Sequence, residues 1–151
     1  MFKEIYGNCS IGGIVAGISN EKIINCYNTA NISCVKSDGQ GERTSIEIGG
    51  ITGSISSGGI CQNSFNSGNI SFVNSVEKVN NIRIGGITGS GSVYNAYNTG
   101  NISNTTKNSN NCVYVSGIAG EGFATNSYNT GNVYNNVESC SNIYTNAING
   151  G

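Results

Sequence analysis

Short runs of isoleucine and valine alternate with polar residues along this chain, and each run stops at a glycine pair. IRIGGI (82–87) is the clearest case, with Ile82 and Ile84 flanking Arg83. Alternation of period two places both isoleucines on one face of a strand. The Gly-Gly pair then predicts a bend or bulge, because glycine adopts backbone angles closed to other residues. Aligning the chain on itself extends the pattern into columns. Cys9, Ile46, Ile82, Val113 and Ile143 share one position, and Ile11, Ile48, Ile84, Val115 and Thr145 share the next. Ile14, Ile51, Ile87, Ile118 and Ile148 form a third. A second strand is predicted over 93–98 and its counterparts, with Tyr27, Phe65, Tyr97 and Tyr128 stacked in an aromatic column. A third strand holds Ile32, Ile70, Ile102 and Val133. Between the second and third, Gly68, Gly100 and Gly131 predict a positive-φ turn, with Ala30 the odd member.

These columns belong to a phrase written four times: GGIVAG with YNTANIS (12–33), GGITG with FNSGNIS (49–71), GGITG with YNTGNIS (85–103), and SGIAG with YNTGNVY (116–134). The second glycine recurs at Gly13, Gly50, Gly86 and Gly117, in steps of 37, 36 and 31 residues. Such a period marks a stacked-repeat architecture. The prediction is an all-β chain, a parallel β-solenoid with about three short strands per coil, right-handed by the crossover rule. The repeats run over about 8–44, 45–80, 81–111 and 112–142, with a fifth beginning at 143–151, in one domain that reads as an excerpt of a longer chain. Open strand edges at both ends predict end-to-end association.

Two asparagine columns accompany the glycines. Asn28, Asn66, Asn98 and Asn129 form one, and Asn31, Asn69, Asn101 and Asn132 the other. Amides stacked at strand spacing form hydrogen-bonded ladders or satisfy turn backbone, so these columns read as structural. The stretches 34–45, 72–81, 104–112 and 135–142 vary in length and carry Asp38, Glu42, Arg43, Glu77, Lys78 and Lys107. Length variation in a repeat array maps to loops, often on the binding face, so these residues are the candidate binding positions.

Composition narrows the function. Net charge is −1 and 10% of residues are charged, which gives no basic stripe for nucleic acid. Without histidine, every mechanism or metal site that needs an imidazole base or ligand is excluded. The eight acidic residues scatter across repeat phases, and glycoside hydrolysis needs two at a defined separation. A single aspartate, Asp38, rules out calcium-binding repeats that use one per turn. Neither a cofactor nor a catalytic site is expected. Glu47 and Arg83 share a phase in adjacent copies and are predicted to pair outside the core, a contribution of about 0–1 kcal/mol. The six cysteines fall at different phases and form no C-x-x-C pair, which favours small buried thiols over disulfides and over metal ligation. The longest apolar run, 11–18, is too short to span a membrane and carries no clear cleavage signal. Aligned threonines (Thr52 with Thr88; Thr29, Thr99 and Thr130) leave an ice-binding face as a minor alternative.

SGIAGEGFATNSYNTGNVY (116–134) resembles the GLUG repeat, in which a GGLVG-type segment precedes an NSYATGNV-type segment. With spacers, the resemblance covers nearly the whole chain. Isoleucine stands for the usual leucine, and GGIVAG is read as carrying one extra residue. The resemblance implies a bacterial extracellular or cell-surface setting and a non-catalytic structural or adhesive segment, with no catalytic residues to carry over. Its alternatives are an accessory region of a secreted immunoglobulin A-cleaving metallopeptidase, and a module that binds host glycan or matrix protein through the variable stretches.

Overall fold

A computed structural model describes residues 8–36, 44–75 and 79–148. Every regular element among these residues is a β-strand, and all strand pairings are parallel. Each strand pairs with its counterpart in the adjacent copy. One eight-stranded sheet has two arms. The first arm holds Cys9–Gly12, Thr44–Gly49, Val79–Gly85 and Asn142–Asn146. The second holds Ile32–Lys36, Ile70–Asn74 and Val133–Ser139. The 15-residue strand Ile102–Ser116 runs through both arms and joins them. Three four-stranded sheets complete the fold, represented in the third copy by Thr88–Ser90, Val93–Tyr94 and Tyr97–Asn98.

The register reproduces the apolar columns. Cys9 pairs with Ile46, Ile46 with Ile82, Ile82 with Val113, and Val113 with Ile143. The phrase therefore stacks on itself residue by residue, and its inward side chains form two clusters. Ile46, Ile48, Ile70, Phe72, Ile82, Ile84, Ile102, Val113 and Val115 pack between the two arms. Ile51, Ile87, Ile118, Cys61, Val93 and Ala96 pack in the second cluster. Burying one such isoleucine contributes about 1.5–3 kcal/mol.

Four expectations are corrected. The stretch 93–98 is two strands, because Asn95 at φ 50° turns the chain between Tyr94 and Tyr97. A further strand follows the glycine pair, so the third copy supplies five strand segments where about three were expected. Gly68, Gly100 and Gly131 do not adopt positive φ; in the turn before the aromatic column that conformation falls on Asn25, Asn63, Asn95 and Asn126, and elsewhere on Asn20, Ser57, Gly58, Gly91 and Gly122. Gly12 and Val15 pair with Gly49 and Thr52, so GGIVAG carries no extra residue and Ala16 stands where the later copies have Gly53, Gly89 and Gly120.

The variable stretches were expected to be loops. Where described they are largely strand: 104–112 lies wholly within Ile102–Ser116, with Lys107 exposed upon it. Asp38, Glu42, Arg43, Glu77 and Lys78 lie outside the described residues.

Candidate functional site

The glycine and asparagine columns meet inside the fold. A Cβ on Gly50 would lie 2.4 Å from Asn66 Cγ and 2.2 Å from the Gly86 carbonyl oxygen. Gly13, Gly86 and Gly117 stand in the same relation to Asn28, Asn98 and Asn129. The glycine pair separates Ile48 of the first cluster from Ile51 of the second, and Asn66 lies between Cys61 and Ile70. This contact therefore sits where the two apolar clusters adjoin.

The amides there form a continuous ladder. Asn28 Nδ2 donates to Asn66 Oδ1 at 2.8 Å, Asn66 to Asn98 at 2.7 Å, and Asn98 to Asn129 at 2.7 Å. Each also donates to the carbonyl two residues on, at 2.7–2.9 Å. Asn66 and Asn98 are fully buried, and a buried amide costs free energy unless it is bonded. The second column works differently. Asn31 Oδ1 accepts from the Asn69 backbone N–H at 2.8 Å, Asn69 from Asn101 at 2.9 Å, and Asn101 from Asn132 at 3.0 Å, all on the surface. Both columns thus act within the fold.

A third column went unread in the sequence. Asn25, Asn63, Asn95 and Asn126 take the left-handed turn, which asparagine tolerates better than most residues. Its signal was the recurrence of asparagine two places before each Tyr27-type aromatic.

Charge collects at one place. Arg83 Nη1 lies 3.6 Å from Glu47 Oε1, and Arg83 Nε also bonds Glu121 from the fourth copy. Ser10 and Ser90 each donate to Glu47 at 3.0 Å. The predicted Glu47–Arg83 pair therefore exists within a hydrogen-bonded cluster that ties all four copies together. Arg83 also lies over the Tyr114 ring at 6.0 Å, and Tyr114 stacks on Tyr144 at 4.7 Å.

The aromatic column is a stack of rings: Phe65 on Tyr97 at 4.3 Å, and Tyr97 on Tyr128 at 5.2 Å. Tyr97 lies between two rings, whereas Tyr27 and Tyr128 of the same column are 70% and 54% exposed and offer a face to a ligand. Thr52 and Thr88 are fully buried and donate to the Ser54 and Ser90 carbonyls, which removes that rank from any ice-binding face.

All six cysteines are free thiols, and Cys61 alone is fully buried. Burial pushes the Cys61 thiol up to about 11, partly offset by a hydrogen bond with Ser64. Cys34 and Cys140 are also raised, burial being the main cause. The Tyr114 hydroxyl is pushed up to about 12, chiefly by its hydrogen bond with Cys112 and then by burial. Among the described residues no group of three or more Cys, Asp or Glu side chains is gathered to hold a metal ion, and no helix is long and apolar enough to cross a membrane. No protein-family model matches the chain, and no curated protein or solved structure does so either.

Proposed function

We propose that this chain is a parallel β-solenoid of GLUG-like repeats, one repeat per coil, and that it serves as a non-catalytic structural segment of a bacterial cell-surface or secreted protein. One observation carries this reading. The residues that make up the repeated phrase are used inside the fold, the glycines against neighbouring carbonyls and the Asn28-type amides against each other. A repeat whose invariant positions hold copy to copy supplies length and rigidity and leaves recognition to other positions. The test is an immunoblot of fractionated source cells with an antibody to residues 85–134. A band far above 15.6 kDa in the cell-wall or secreted fraction supports the reading; a cytosolic band at 15.6 kDa overturns it.

The exposed rings of Tyr27 and Tyr128 favour a second reading, a glycan-binding module. Saturable binding to an immobilised glycan that is lost in Tyr27→Ala/Tyr128→Ala would favour it over a pure spacer.

A further inference from the structure

Three columns of the repeat hold glycine where the described copies lie against them, and alanine at their outermost described members. A Cβ on Gly68, Gly100 or Gly131 would point back to the preceding copy, 2.0–2.1 Å from the carbonyl oxygen of Ala30, Gly68 or Gly100. A Cβ on Gly53, Gly89 or Gly120 would also point back, 2.5–2.7 Å from the carbonyl oxygen of Ala16, Gly53 or Gly89. A Cβ on Gly13, Gly50, Gly86 or Gly117 would point forward, 1.9–2.3 Å from the carbonyl of the next copy, which for Gly117 is that of Ala147. The first members of the two backward columns are Ala30 and Ala16, and the last member of the forward column is Ala147. All three are exposed.

We infer that Ala16, Ala30 and Ala147 oppose the docking of a further copy at those positions, each directing its methyl to where the carbonyl of such a copy would lie. Ala30 repeats the local turn of the interior glycines. Its N–H donates to Asn28 Oδ1 at 3.1 Å and its carbonyl accepts from Asn28 Nδ2 at 2.9 Å, as Gly100 does with Asn98 at 3.3 and 2.7 Å. Its methyl therefore takes the direction that is blocked in the later copies. Backbone must move to admit a methyl at such distances, and it can do so only by breaking the ladder around it. The far end also places a polar residue in an apolar column, beside exposed Ile143 and Tyr144. The column Ile11, Ile48, Ile84, Val115 finishes in Thr145, whose hydroxyl accepts from Asn135 Nδ2 at 2.9 Å. The inference rests on register alone and stands whatever the segment does.

The test is a phase-matched tandem, residues 1–148 continued by residues 15–151 of a second copy, since Ile148 and Ile14 hold the same place in the phrase. A second tandem replaces the three alanines at the joint: Ala147→Gly in the first copy, Ala16→Gly and Ala30→Gly in the second. The glycine tandem is expected to melt in one transition above that of the single chain. The alanine tandem is expected to melt at the single-chain midpoint, as two arrays. A single raised transition in the alanine tandem, or no gain in the glycine tandem, overturns the inference. Should a tandem fail to fold, the single chain still decides. Ala16→Gly/Ala30→Gly/Ala147→Gly should shift its midpoint far less than Gly53→Ala/Gly100→Ala/Gly117→Ala, and equal losses would sink the idea.

Discussion

Asn98 makes four hydrogen bonds from a fully buried position, two along the ladder and two to Gly100. Its removal strands the ladder bonds of Asn66 and Asn129 as well. Asn98→Ala is therefore expected to lower stability by about 2–4 kcal/mol, read from the urea midpoint. Ser116 works in the other direction. It stands in the column of Gly12, Gly49 and Gly85, and its buried hydroxyl has no partner among the described residues. Ser116→Ala should raise stability by about 1 kcal/mol in the same assay. Cys61 supplies a pH dependence. Its folded value of about 11 exceeds the ordinary 9.0, so the folded state holds the proton more tightly. That stability is present below pH 9 and is lost as pH rises towards 11, at no more than about 1.4 kcal/mol per unit. Cys61→Val, matching Val93 in the next copy, should keep the fold and flatten the alkaline loss in thermal melts.

At the scale of the element, the short strands owe their limits to turns rather than to propensity. Asn95 at φ 50° divides Val93–Tyr94 from Tyr97–Asn98. Asn95→Gly should leave the melting temperature nearly unchanged, whereas Asn95→Val should cost about 1–2 kcal/mol, because a branched side chain resists the left-handed region. The apolar columns, the aromatic stack and the Glu47–Arg83 pair were readable from the sequence, since each depends only on matching phase between copies. The turn column was hidden by its neighbours. Asn95 lies between Val93, Tyr94 and Tyr97, residues that favour a strand, and side-chain preference outweighed the backbone cue. Glu121 was hidden for a geometric reason. It reaches Arg83 from a different sheet and a different phase, which alignment of like positions does not reveal. The variable stretches misled because changing length suggests loops, while Ile102–Ser116 carries its variable part as continuous strand.

At the largest scale, among the described residues each copy pairs only with the copies beside it. Protection should therefore grade along the stack. Backbone amides in the wholly exposed strand Asn142–Asn146 are expected to exchange with solvent sooner than those of Val79–Gly85, and hydrogen-exchange mass spectrometry would show this. Uniform protection would contradict a nearest-neighbour array. The register has a consequence for inheritance as well. Asn81 holds the place of Cys112, and Ile82 that of Val113, so excising 81–111 returns the chain to the same phase. Unequal recombination between the corresponding stretches of the gene would add or delete such a cassette without a frame error in the fold. Allele length could then drift while the joints between cassettes stay sound.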